Sequence, residues 1–251
     1  NISFYNGTLT VNPKAATLII DNASKTYGTT DPTFTAVAGG LYGSDTLNYT
    51  LNRASSENVG NYSITAALRS NPNYTITVTN GNLNIVQASA SITLNDAAKV
   101  YGSADPGFTV STNGVVSGET LNYTLTRAAG EAVGTYVITA TLGANPNYIV
   151  TVNNTANLTI TPQTVTLTEN SASKVYGSAD PALSATVTGL IGTDTLNYTL
   201  SRTAGETAGT YAINTALGSN PNYSVTVVDG NLTIVPKVLT VTAYSYTIAQ
   251  G

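Results

Sequence analysis

Residues 221–234 read Pro221-Asn-Tyr-Ser-Val-Thr-Val-Val-Asp-Gly-Asn-Leu-Thr-Ile234. Apolar and polar side chains alternate in Tyr223-Ser-Val-Thr-Val227 and again in Asn231-Leu-Thr-Ile234, the period-two pattern of strands with one buried face. Thr, Val and Ile fill these runs, as a pleated, half-buried surface prefers. Asp229-Gly230 lies between the two runs and predicts a hairpin turn, as does Asn80-Gly81 in an equivalent stretch. Thr164-Val-Thr-Leu-Thr168 and Asn157-Leu-Thr-Ile160 carry the alternation further, and no window holds a helical period longer than two turns. The chain reads as all-β.

That stretch is one copy of three. Pro-Asn-Tyr recurs at 72–74, 146–148 and 221–223, and Tyr-Gly at 27–28, 101–102 and 176–177, in steps of 74 and 75 residues. Asp31-Pro32, Asp105-Pro106 and Asp180-Pro181 keep the same steps, as do the Leu-Asn-Tyr-Thr-Leu segments opening at Leu47, Leu121 and Leu196. A fixed internal period defines the organisation before any single motif does. Modules span 14–87, 88–162 and 163–236; residues 1–13 match the end of a preceding repeat and 237–251 the start of a following one. The opening at Asn1, without a signal peptide, fits a slice of a longer array. The second unit's extra residue falls in Asn153-Asn154-Thr155-Ala156, a turn position where an insertion is tolerated. Five to seven strands per module are expected, near 16–21, 33–38, 47–52, 62–68, 74–79 and 82–86 in the first. Modules this small bury little core, so contacts between neighbours matter for stability. The junctions Pro162-Gln163 and Pro236-Lys237 are too short for flexible linkers and predict a semi-rigid string.

Composition narrows the chemistry. Of 251 residues only 22 are charged, the net charge is −4, and His, Cys, Met and Trp are absent. An acidic balance argues against a nucleic-acid partner, which needs clustered Lys and Arg. No apolar run approaches the roughly 18–20 residues of a membrane-spanning helix. Without His or Cys there is no Ser-His-Asp triad, no Cys nucleophile and no ordinary zinc, copper or haem site. Carboxylate-only catalysis stays open in principle. Identical catalytic carboxylate pairs in every repeat would be odd, so no enzyme is expected. Lacking Cys and Met, the two readily oxidised side chains, suits an extracellular protein that forgoes disulfides.

Twelve of the 16 Tyr and 15 of the 22 charges occupy recurrent positions. Tyr62, Tyr136 and Tyr211 each follow a Gly by two residues and open a strand, which predicts a tyrosine corner; the alternative is a stacking platform for sugar rings. Tyr49, Tyr123 and Tyr198 share a strand face with their flanking Leu, a core placement. Tyr27-Gly28 with Asp31-Pro32 predicts a turn, Gly for positive φ and Pro for fixed φ. The repeated charges are Lys25/Lys99/Lys174, Asp31/Asp105/Asp180, Asp45/Glu119/Asp194, Arg53/Arg127/Arg202 and Glu57/Glu131/Glu206. Arg and Glu four apart predict an ion pair across a strand-to-loop junction. As calcium ligands the acids are isolated, unlike the dense Asp/Asn loops that hard cations favour. Neither a catalytic residue, a metal ligand nor a cofactor is assigned. Asn-X-Ser/Thr triplets at Asn48, Asn61, Asn73, Asn122, Asn157, Asn197, Asn222 and Asn231 are weak glycosylation signals in so Asn- and Thr-rich a chain.

Lys-Val-Tyr-Gly with Asp-Pro (99–106 and 174–181), Val/Ala-Gly-Thr-Tyr-x-Ile, Pro-Asn-Tyr and the closing Gly-Asn-Leu-Thr-Ile together resemble the bacterial MBG domain, YGX type, over essentially the whole chain. Ala249-Gln250-Gly251 departs from the pattern in the last, partial unit. Such domains occur in tandem in very large secreted or surface proteins, many resembling filamentous-haemagglutinin-type adhesins. The resemblance implies structural stalk repeats of a bacterial surface or secreted adhesin, and supplies no ligand-binding residues. The expected fold is an elongated rod of small immunoglobulin-like β-sandwich modules, with β-grasp-like modules as the alternative. At about six residues per strand and 3.3 Å per residue, three modules would span roughly 100–120 Å. The expected partners are neighbouring repeats in the same chain, with host or matrix glycans or proteins as further candidates. In the rival readings the repeats bind glycan with avidity, or pair laterally through Thr-rich edges in a biofilm matrix.

Overall fold

The computed structural model describes residues 2, 3 and 5–251, and among them there are strands and turns but no helix. Each repeat holds seven strands. The first has β1 (Lys14–Ile20), β2 (Ala23–Thr26), β3 (Ala36–Gly39), β4 (Tyr49–Arg53), β5 (Gly60–Leu68), β6 (Tyr74–Thr79) and β7 (Gly81–Val86). The second has β8 (Ala88–Leu94), β9 (Ala97–Val100), β10 (Val110–Asn113), β11 (Tyr123–Arg127), β12 (Gly134–Leu142), β13 (Tyr148–Val152) and β14 (Ala156–Thr161). The third has β15 (Gln163–Glu169), β16 (Ala172–Val175), β17 (Ala185–Thr188), β18 (Tyr198–Arg202), β19 (Gly209–Leu217), β20 (Tyr223–Val228) and β21 (Asn231–Val235).

A module is built from two small sheets, ordered β3-β1-β6 and β2-β7-β5-β4 in the first and β17-β15-β20 and β16-β21-β19-β18 in the third. Alternation along the strands makes the core. In β1, Ala16, Leu18 and Ile20 are buried while their neighbours face outward; Ile64 of β5 and Leu83 and Ile85 of β7 complete the set. Burying each of these Leu and Ile side chains contributes about 1.5–3 kcal/mol. Strands β1 and β5, in different sheets, come into contact, so the two sheets share this core.

The strand count, three plus four, is that of a small sandwich, but strand direction is mixed. Strands β1 and β6 run parallel, as do β2 and β7, whereas β5 is antiparallel to both β4 and β7. An immunoglobulin domain has two antiparallel sheets, so the strand order establishes an all-β module of two mixed sheets and no more than that.

Two compact units divide the chain. One comprises Asn1–Asn95, Thr109–Thr126 and Thr139–Thr155; the other comprises Asp96–Phe108, Arg127–Ile138 and Ala156–Gly251. The first contains the whole first module and the β10-β8-β13 sheet of the second. The second contains the third module together with β14, the parallel β9 beside it and the start of β12.

The expected hairpin at Asn80-Gly81 is not formed, nor is that at Asp229-Gly230. Strand β6 joins the sheet of β1, while β7 pairs with β5 and β2, so the chain at Asn80-Gly81 crosses from one sheet to the other. Neither Gly81 nor Gly230 has the positive φ that a tight hairpin requires. Glycine is there for space: a Cβ on Gly81 would lie 2.4 Å from the Asp21 carbonyl oxygen, and one on Gly230 2.4 Å from that of Glu169.

Strand β2, a polar four-residue segment, is the one strand missing from the expected set in the first module. Residues 2, 3 and 5–13 and residues 236–251 carry no strand and are exposed. Asn1 and Phe4 of the first segment lie outside the described residues.

Candidate functional site

The repeated polar residues gather into two arrangements, one inside each module and one where successive modules meet. The first is a four-charge cluster. Lys25 on β2 bonds Asp31 at 2.7 Å and also Glu57. Arg53, closing β4, places Nε 2.6 Å and Nη2 3.1 Å from the two Asp31 oxygens, a bidentate fork, and pairs with Glu57 as well. Its Nη1 donates to the carbonyls of Ala54 (2.9 Å) and Ser56 (2.6 Å), which pins the loop before β5. Lys99, Asp105, Arg127 and Glu131 repeat the cluster in the second module, and Lys174, Asp180, Arg202 and Glu206 in the third. The Arg–Glu spacing of four was legible; the Lys and Asp that close the ring were not joined to it.

Opposite charges side by side shift the carboxyls. Arg53 first and Lys25 second hold Asp31 down to about 2, and the matching Arg and Lys do the same for Asp105 and Asp180. Folded, these groups bind fewer protons than the unfolded chain, whose Asp titrates near 4. Their contribution is therefore complete above about pH 4 and lost as pH falls through about 2. The melting temperature should stay level from pH 7 to about 5 and drop between about pH 4 and 2; a flat profile down to pH 2 would show that the cluster adds nothing.

The tyrosine corners are present. The hydroxyls of Tyr62, Tyr136 and Tyr211 donate to the carbonyls of Asn58, Ala132 and Thr207, four residues upstream, at 2.7–2.8 Å. Tyr49, Tyr123 and Tyr198 are half-buried at the start of β4, β11 and β18, with the neighbouring Asn and Thr facing outward as expected.

The second arrangement is a clasp, formed once within each compact unit. In the first unit, Tyr27 follows β2 in a turn closed by Thr29 N donating to Thr26 O (3.1 Å), with Gly28 at φ +79°. That is the third-position glycine of a type II turn. The turn presents the Tyr27 ring edge-on to Tyr148, the first residue of β13, with centroids 5.4 Å apart and planes at 80°. Both phenols donate to Glu119, and the Tyr148 oxygen in turn accepts the Val116 N–H at 3.0 Å. Val116 lies against Gly28 so closely that a Cβ there would stand 2.4 Å from Val116 Cγ2. Asn147 Oδ1 accepts the Val59 N–H at 3.1 Å.

In the second unit Tyr101 and Tyr223 donate to Asp194 at 2.8 and 2.6 Å, with rings 5.5 Å apart at 81°. Ile191 covers Gly102, and Asn222 accepts the Val133 N–H at 3.0 Å. The phenol hydrogen bonds hold Glu119 and Asp194 below the usual carboxylate range. The shared carboxylate pushes Tyr27 and Tyr101 up, while burial is the larger cause for Tyr148 and Tyr223. Between those limits the clasp holds an ionised carboxylate and two neutral phenols, which is the state that makes both bonds.

The tyrosines, acids and asparagines of the clasp belong to repeated sets, yet the Tyr of the turn and its acid stand 92 and 93 residues apart, more than one repeat. The constant 29-residue interval from the acid to the Tyr of Pro-Asn-Tyr was the available signal. The repeated acids are thus engaged by the protein's own cations and phenols, and among the described residues no group of three or more acidic side chains is placed to hold a metal ion.

A family model described as MBG domain (YGX type) matches residues 16–84, 90–159 and 164–233. The Tyr-Gly pairs at 27–28 and 101–102 inside these matches are the clasp turns. No curated protein matches the chain.

Proposed function

We propose, because the chain belongs to the MBG domain family of the YGX type, that its modules are structural repeats in the stalk or scaffold of a large bacterial surface or secreted adhesin. In this reading they hold an adhesive region away from the cell and perform no catalysis of their own. One observation supports it above the rest: the recurrent polar side chains are engaged in holding the fold. Twelve of the repeated charges close the three clusters, and the Tyr-carboxylate clasps fasten one module's Tyr-Gly turn to the next module's first sheet. The corner hydroxyls, one candidate for a sugar platform, bond backbone instead. An extracellular location goes with this reading, since a chain without Cys or Met has nothing readily oxidised. A sandwich-like packing of the two sheets, immunoglobulin-like in its three-plus-four strands and its tyrosine corner, is part of the same proposal.

Small-angle X-ray scattering of the chain tests it. A maximum dimension on the order of 100 Å, as strand rise predicts, unchanged by calcium or chelator, is the expected result. A compact particle, or one that extends only with calcium, would overturn the spacer reading.

A further inference from the structure

Four charged side chains are buried among the described residues. Lys25, Lys99 and Lys174 are the lysines of the repeated clusters, whereas Glu169 has no counterpart in the other modules. It closes β15 at 4% exposure, where β1 ends on Ile20 and β8 on Leu94, both buried. Its Oε1 accepts the Thr215 hydroxyl at 2.7 Å and its Oε2 the Gly230 N–H at 2.9 Å. Thr215 is equally singular, since Ala66 and Ala140 hold its place on β5 and β12. Two positions that are apolar in the first two modules are polar together in the third, and they bond each other from one sheet to the other.

The carboxylate also changes the ladder. Ile64 pairs with Gly81, and Ile138 with Ala156, at the start of β7 and β14. In the third module β21 begins only at Asn231. Ile213 N still donates to Gly230 O at 3.0 Å, while the Gly230 N–H turns to Glu169. The crossing between sheets is thus built three ways. The first module sets Gly81 against the Asp21 carbonyl; the second inserts a residue and bonds Asn154 to both backbone groups of Leu94; the third uses the Glu169–Thr215 bridge. Elsewhere the modules are near copies. Leu-Asn-Tyr-Thr-Leu is identical in all three, and the charge cluster and tyrosine corner recur position by position.

We propose that Glu169 and Thr215 are a matched pair that marks the strands of the third module as belonging together and keeps them from exchanging with those of its neighbours. Misassembly between units is a characteristic failure of repeat proteins, and modules this alike are exposed to it. With β15 packed on the first module's β5 and β7, Glu169 would meet Ala66 and lose its hydroxyl donor, leaving a buried carboxylate short of a hydrogen bond. With β1 in the place of β15, Ile20 would leave the Thr215 hydroxyl and the Gly230 N–H without the acceptor they share. Buried polar groups contribute little when paired and cost much when orphaned, and that asymmetry makes them discriminate between partners. The mark acts during folding, so this inference is independent of the stalk reading.

Interrupted refolding of the whole chain tests it. The chain is unfolded in denaturant, refolded by dilution, aged until prolyl isomerisation is complete, and unfolded again; the fast-unfolding amplitude measures the misassembled fraction. Glu169→Leu combined with Thr215→Ala installs the second module's own pair, Leu94 and Ala140. The double variant should melt no lower than wild type, because well-packed apolar residues replace a buried polar pair without loss. Its misassembled fraction should nevertheless rise by roughly fivefold, the weight of one buried hydrogen bond. Glu169→Gln keeps an acceptor for the Gly230 N–H and a polar group for Thr215, and should refold as faithfully as wild type. A double variant that refolds as faithfully as wild type overturns the proposal. So does one that is unfolded or melts well below wild type, which would make the bridge a plain stabilising contact. Misassembly in Glu169→Gln as great as in the double variant would also overturn it, since hydrogen-bond matching would not be what discriminates.

Discussion

Asp31→Ala is expected to lower the stability of the first module by about 2–3 kcal/mol, read by native-state hydrogen exchange at the amides of β7. The reason is the burial of its partners. The Lys25 and Arg53 side chains are 4% and 11% exposed, and two carboxylates neutralise them. Asp31 bonds both cations and is itself 32% exposed, whereas Glu57 is 62% exposed. Removing Asp31 leaves two desolvated cations sharing one solvated acid. Stranding a fully buried charge costs about 3–5 kcal/mol, and the residual water around Asp31 sets the lower figure used here. A double-mutant cycle separates this from lost packing. Lys25→Met combined with Asp31→Ala should cost clearly less than the two single losses added together, because one orphaned cation is then gone. Additive losses, within about 0.5 kcal/mol, would mean that Asp31 acts through something other than this pair.

What could be read from the sequence was whatever lies within one strand or one loop. Period-two alternation located β1, β5 and β7 and their buried faces; Gly-x-Tyr located the corner; Arg53 and Glu57, four apart, located one edge of the cluster. Two kinds of feature escaped. Strand β2 is four residues long with only Lys25 buried, too short and polar for alternation to register, so the cluster lost its lysine. The clasp joins residues from different repeats, and no local pattern states that Tyr27 meets Glu119 across 92 residues. The hairpin error has a third origin. Asn-Gly between alternating runs is a turn signal only if the two runs pair with each other. Here each run pairs elsewhere, and the same dipeptide marks a crossing between sheets.

That crossing yields the largest expected effect in the first module. Gly81 is buried, and a Cβ there would stand 2.4 Å from Asp21 O and 2.9 Å from Ile20 O. Both neighbours are backbone, so no side chain can rotate away, and β7 or the end of β1 must shift. Gly81→Ala is therefore expected to cost about 3 kcal/mol, the upper end of overpacking losses. The second repeat shows how an alanine can be accommodated. Ala156 holds the same place, 1% exposed, and its module has one extra residue just before it. There Asn154 turns its amide onto Leu94, accepting the N–H at 2.8 Å and donating to the carbonyl at 3.0 Å. Replacing Asn80-Gly81 by Asn-Thr-Ala, the second module's version at 154–156, should recover most of the stability that Gly81→Ala removes. Thermal melts and hydrogen exchange on wild type, Gly81→Ala and the three-residue graft read the result directly. If the graft is as unstable as Gly81→Ala, the extra residue does not serve to make room for the methyl group. If Gly81→Ala itself costs less than about 1 kcal/mol, an ordinary loss for a point substitution, the close approach to Asp21 is not what requires glycine there.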